Sequence, residues 1–198
     1  MKIYQVRAPK GKLKYYDEHI HYTLDGTEQY VWRKVQKQIN NFEEDLDIVT
    51  PLTFITSKCK FKDLEDFQWL KTDFRLPIMK KELVEKLLEL NPLKHKLFPV
   101  SITDSKNSDN TNDNFVAFYL LDSFDCVNWD KTELTEQGGQ NYFDFTKGVY
   151  RDDLKYPILF KIKGMSINLT HYVTESNRIK LEKAGINGFE YQEPIENN

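Results

Sequence analysis

The chain has 198 residues, 39% hydrophobic and 14% aromatic, with a formal net charge of −3, a pI near 5.9 and a mean hydropathy of −0.64. That length suits one domain or two small lobes sharing a core, and the aromatics supply buried area that a disordered chain lacks. No run approaches the roughly 20 apolar residues that a bilayer span needs, and the acidic balance gives no reason to expect nucleic acid.

The opening MKIYQVRAPKGKLK lacks the apolar middle of a signal peptide, so a cytoplasmic location is expected. Ile3–Val6 reads as a strand, and Lys10, Lys12 and Lys14 around Pro9-Gly11 as an exposed basic turn. A second strand, Ile20–Leu24, ends at the turn pair Asp25-Gly26. Val31, Val35 and Ile39 recur every four residues, which predicts a helix over 27–39, although Tyr30-Val31-Trp32 also suits a strand. Residues 40–47, NNFEEDLD, form an acidic connector. Ile48–Thr56 is β-branched and broken by Pro51, as an edge strand would be, and Leu64, Phe67 and Leu70 fall at helical spacing.

Two stretches then look alike. In Tyr156–Pro194 the strand-like Ile158–Ile162 is stopped by Gly164, and a second apolar piece ends at Tyr172-Val173. Thr174 is placed to cap a helix, with Glu175 in its first turn and Leu181 and Ala184 on its buried side. Gly185 is the expected left-handed stop, Ile186 is placed to touch Leu181, and Phe189-Glu190-Tyr191 is a last strand. Phe74–Ile102 repeats the order when Met79 is set on Val173, Leu87 on Leu181 and Asn91 on Gly185. Asn91 is then the expected left-handed stop, Pro92 blocks continuation, and Lys80 stands where Thr174 caps. Between the stretches, 103–114 contains no apolar residue and reads as a flexible loop, and Phe115–Leu121 as a buried strand. Val127-Asn128-Trp129 extends that pairing, Gly138-Gly139 is a turn, and 141–146 alternates aromatics as a strand does.

Residues with the chemistry of a site are few. His19 and His21 would share one face of a strand and could hold zinc, but no third ligand is evident, and two exposed edge histidines is the plainer reading. Cys59 and Cys126 lack metal or disulfide spacing and read as reduced thiols in or near the core, and nothing places either beside His95 or His171. Gly138-Gly139 has no phosphate-loop context, and the sequon Asn168-Leu169-Thr170 has no secretory signal to make it relevant. Charge that could steer a basic partner lies at Glu43, Glu44, Asp45 and Asp47, and at Asp104, Asp109 and Asp113.

Three pieces carry a family resemblance. They are Leu76-Pro77-Ile78 through Leu90 to Leu97–Val100; Phe115–Leu121 with Cys126–Asp130; and Leu159–Ile162 with Val173-Thr174-Glu175 and Lys183–Glu190. Together, over about 67–193, they resemble an immunity-protein family of bacterial polymorphic toxin systems, the one numbered eleven. Lys80 departs from the family's Ser-like cap. The resemblance implies a non-enzymatic antitoxin, without cofactor or metal, that binds a cognate toxin domain in the cytoplasm and occludes its active site. It carries over no catalytic set. Glu43, Glu44, Asp45 and Asp47 are the expected partner-binding residues, and a small metal-dependent hydrolase using His19 and His21, or a non-catalytic adaptor, are the alternatives. Nothing in the sequence fixes the oligomeric state.

The expected architecture is a single α+β domain, 1–198. It has a β-rich part over 1–60, a first α/β unit and loop over 61–114, and a second unit over 115–198. The two related strand–helix–strand units pack with additional, mostly antiparallel strands.

Overall fold

The computed structural model describes residues 1–8, 20–22, 37–38, 48, 50–56, 60–70, 76–137, 140–144, 147–165 and 170–193. The strands are β1 (Ile3–Arg7), β2 (Ile20–Tyr22), β3 (Leu52–Thr56), β4 (Trp69–Leu70), β5 (Ile78–Lys80), β6 (His95–Asp104), β7 (Asn107–Leu120), β8 (Ser123–Phe124), β9 (Thr135–Gln137), β10 (Gln140–Tyr142), β11 (Lys161–Ile162), β12 (His171–Thr174) and β13 (Glu190–Gln192). The helices are α1 (Lys81–Leu90) and α2 (Glu175–Lys183), with a 3-10 helix over Phe61–Asp66. The fold is α+β, as its mixture of local patterns predicts.

β7 organises the larger sheet, whose order is β2-β3-β6-β7-β5-β4. Every residue of Phe115–Leu120 is buried, and alternate side chains enter different cores. Val116, Phe118 and Leu120 join one cluster; Phe115, Ala117 and Tyr119 join another. A continuous apolar run is what a strand covered on both faces requires.

The repeat is real in topology. β5 and β6 both pair antiparallel with β7, so they run parallel to each other with β7 between them and α1 as the connection. β12 and β13 both pair antiparallel with β1, again parallel to each other around an inserted strand, with α2 as the connection. Lys80 and Thr174 close the strands before the two helices, and Met79, Val173, Leu87 and Leu181 are fully buried in one shared cluster. The inserted strand comes after the first unit but from the far N-terminal end for the second.

Both helix ends of the second unit follow the local rules. The Thr174 hydroxyl accepts from Asn177 N–H at 3.3 Å. Gly185 has φ +74, its N–H donates to Glu182 O at 3.0 Å, and Ile186 N–H donates to Leu181 O at 2.9 Å. In the first unit Lys80 makes no cap; its ammonium instead donates to Glu65 O at 2.5 Å and pairs with the Glu65 carboxylate at 3.2 Å.

Five expectations are corrected. Asn91 is not left-handed: its φ is −162, and its Oδ1 accepts from Ile158 N–H at 3.0 Å, so a tertiary bond sets its backbone. Residues 103–114 are not a loop but the outer part of the β6–β7 hairpin, pairing Ile102 with Asn112 and Thr103 with Thr111 across register shifts. Side-chain oxygens of Asp104, Asn107 and Asn112 accept from the backbone N–H two residues on, at 2.9, 3.2 and 2.9 Å, so polar residues hold the irregular ladder without a core. β3 is an interior strand between β2 and β6, because Pro51 precedes it and costs it no ladder bond. The helix expected over 62–70 is the 3-10 segment followed by β4. The predicted strand 158–162 shortens to Lys161–Ile162, with Phe160 bridged to Tyr172. Of the helix predicted over 27–39, residues 37–38 are described and are helical; the rest lies outside the described residues.

Candidate functional site

The segment between β8 and β11 is built outward from a small core. Cys126 and Val127 are buried with Ile3, Phe160, Ile162 and Tyr172. Residues 126–128 then run antiparallel to 149–151: Asn128 N–H donates to Val149 O at 2.8 Å and Arg151 N–H to Cys126 O at 2.9 Å. Thr132, 9% exposed, locks the pair. Its hydroxyl donates to Asn128 O at 2.8 Å and accepts from Val149 N–H at 3.0 Å.

With its backbone fixed in this way, the segment presents three large apolar side chains to solvent among its described residues. Trp129 is 43% exposed, Leu134 46% and Val149 39%. Trp129 is held in place: its ring packs edge-on to Phe143 at 5.2 Å, and it covers Gly164, where an added Cβ would stand 2.8 Å from the indole. Gly164 has φ +91, so both its backbone and its lack of a side chain serve this contact. A rigid, half-exposed Trp is the side chain most often found as an energetic anchor at protein interfaces.

The same segment concentrates negative charge. Residues 122–153 contain eight carboxylates and three cations (Lys131, Lys147, Arg151), a net of −5, against −3 for the whole chain. Asp130, Glu133, Glu136 and Asp152 are exposed on the same segment. Exposed apolar side chains and carboxylates on one segment suit a protein partner that is basic. Scattered apolar residues in an irregular segment have no period, so the sequence reading missed this face; the signal available was the charge summed over a window.

Among the described residues, the sequence-derived candidates do not assemble into a second site. Glu43, Glu44, Asp45 and Asp47 lie outside the described residues, as do His19 and Cys59. His21 lies on β2 opposite Ile55. Among the described residues no group of three His, Cys, Asp or Glu could hold a metal ion. Cys126 is fully buried, and burial pushes its thiol up to about 12. His171 is boxed by Trp69 and Phe118, with ring centroids 6.4 and 5.9 Å away. Burial, with the nearby Lys161 charge, lowers its pKa to about 3, so it is neutral and structural. His95 donates from Nδ1 to Leu93 O at 2.6 Å and stacks on Phe118. Lys161 is 2% exposed, its ammonium 5.3 Å from the Tyr119 ring, and burial lowers its pKa to about 8 against the opposing effect of Asp122.

Comparison with protein-family models and with curated proteins gives no match. No helix among the described residues is long and apolar enough to cross a membrane.

Proposed function

We infer that this chain is an immunity protein: a non-enzymatic, cytoplasmic antitoxin that binds a cognate toxin domain and occludes its active site. The observation that carries the reading is the fixed, solvent-facing Trp129 with Leu134 and Val149, inside a segment of net charge −5. The sequence resemblance over 67–193, carried by the paired strand–helix–strand units, is the second support. Beside the acidic connector expected at 43–47, which lies outside the described residues, we assign the segment 122–153 to the contact. Carboxylates there steer a basic surface toward the site, and Trp129 supplies the desolvated anchor.

The test is co-expression with the C-terminal domain of a large secreted protein encoded beside this chain, scored by survival and by co-elution on a sizing column. Survival with a stable complex is the expected result. Trp129→Ala with Val149→Asp should abolish the complex while circular dichroism stays that of the parent. Survival without a complex would point to an enzyme, and a complex without protection to an adaptor. A complex untouched by the double variant would remove this face while leaving the immunity reading intact.

A further inference from the structure

The chain contains a single Asn-Gly pair, Asn187-Gly188, in the link between α2 and β13. Asn187 is exposed, while its neighbours are not: Ile186 is 1% exposed, Gly188 is buried and Phe189 is 7% exposed. Both apolar neighbours are anchored. Ile186 N–H donates to Leu181 O at 2.9 Å, and the Phe189 ring packs edge-on to Trp69 at 5.6 Å.

Packing dictates the glycine. A Cβ at position 188 would stand 2.6 Å from Gln68 Cβ and 2.7 Å from Gln68 Oε1, so a side chain there collides with the chain entering β4. Asn187 is under no such constraint. Among the described residues, no hydrogen bond holds its amide or occupies the Gly188 N–H. Asn107, which precedes Ser108, differs: its Oδ1 accepts from Asp109 N–H at 3.2 Å.

We propose that Asn187-Gly188 is a self-modifying site, at which the exposed amide is lost and the backbone lengthens. The Gly188 nitrogen gives its proton to hydroxide or a buffer base and bonds to Asn187 Cγ. The Cγ–Nδ2 bond breaks, ammonia leaves and a succinimide closes. Water then opens the ring. Attack at Cγ restores the normal main chain as aspartate; attack at the main-chain carbonyl leaves isoaspartate, with the main chain running through Cβ and Cγ. One water is consumed, one ammonia is released, and no electrons are gained or lost.

The isoaspartyl chain is one methylene longer between Ile186 and Phe189, which the Leu181 bond and the Trp69 contact hold in place. A close-packed interior does not absorb that length, so Phe189 is pushed off Trp69 and the pairing of Tyr191 with Val6 loosens. The site is independent of the Trp129 face and of the immunity reading.

The test incubates the full chain in warm, mildly alkaline buffer beside a synthetic peptide of residues 184–190. Both are read by fragment-ion mass spectrometry and by labelling with an isoaspartyl methyltransferase. Asn187 should convert on the peptide's time scale and ahead of Asn107, and Asn187→Gln should lose the label while keeping the parent's Tm. The isoaspartyl fraction, separated by chromatography, should melt about 2 °C or more below the parent, whereas Asn187→Asp, with the same charge on a normal backbone, should melt with the parent. A folded chain that stays unlabelled while the peptide converts, or that labels first at Asn107, would overturn the reactive site. An isoaspartyl fraction with the Tm of Asn187→Asp would overturn the backbone effect.

Discussion

Asn91 and Ile158, 67 residues apart in sequence, are joined by one hydrogen bond that ties the end of α1 to the start of the second unit's strand region. Ile158 is buried, so its N–H is left poorly satisfied if that acceptor is lost. Asn91→Ala should therefore destabilise by about 1–3 kcal/mol in denaturant unfolding. Asn91→Gly should be no better, because the backbone there is extended and gains nothing from glycine's freedom.

At the aligned helix end the opposite holds. Gly185 is left-handed, and a Cβ there would meet no atom within 4 Å, so Gly185→Ala carries only the conformational cost. About 1 kcal/mol is expected, with Gly185→Asn costing less. Thr174→Ala at the other end of the same helix should lose about 1 kcal/mol through the cap. Urea midpoints of the three variants, with unchanged m-values, check both statements.

Lys161 bears its charge in the core at neutral pH, with the Tyr119 ring and Asp122 offsetting only part of the desolvation. Replacing a buried charge by an apolar side chain of similar shape removes that cost. Lys161→Met should raise stability at pH 7 by about 2 kcal/mol, and the gain should shrink as pH rises from about 8 toward the free-lysine value, where the native ammonium has already given up its proton.

His171 predicts an acid limb of a different kind. Its native pKa, about 3, lies below the ordinary 6.5, so between those values the unfolded chain holds the extra proton. Stability is fully present above pH 6.5 and falls as pH drops toward 3, with a slope approaching ~1.4 kcal/mol per pH unit from this group. His171→Phe should flatten that limb relative to the parent in pH-dependent thermal melts.

Gly164→Ala tests whether Trp129 is held as described. A side chain at φ +91 that also stands 2.8 Å from the indole should cost about 2 kcal/mol and displace the ring. Tryptophan fluorescence reads the displacement, and an unchanged spectrum with unchanged Tm would remove the contact.

What was legible from the sequence was what local chemistry decides. The Thr174 cap, the Gly185 stop and the equal spacing from Met79 to Leu87 and Val173 to Leu181 all follow from rules that act within a few residues. Asn91 escaped them because a partner 67 residues away sets its backbone. The hairpin arm escaped because Asp104, Asn107 and Asn112 replace apolar burial with their own backbone bonds. Trp129, Leu134 and Val149 escaped for the opposite reason: residue type argues for burial, and only their place in the fold turns them outward.

The two inserted strands also impose an order on synthesis. β7 follows β5 and β6 in the chain, so the first unit has its central strand about as soon as its flanks are made. β1 emerges first, yet its partners β12 and β13 are among the last described strands to appear. Ile3, Tyr4 and Val6 must wait, unburied, while more than 160 residues are translated. The second unit is therefore a closure that joins the two extremes of the described chain, and a growing polypeptide cannot complete it early. A chain halted before β12 would carry the first unit's sheet with its shared core half filled, and an apolar strand with nowhere to go.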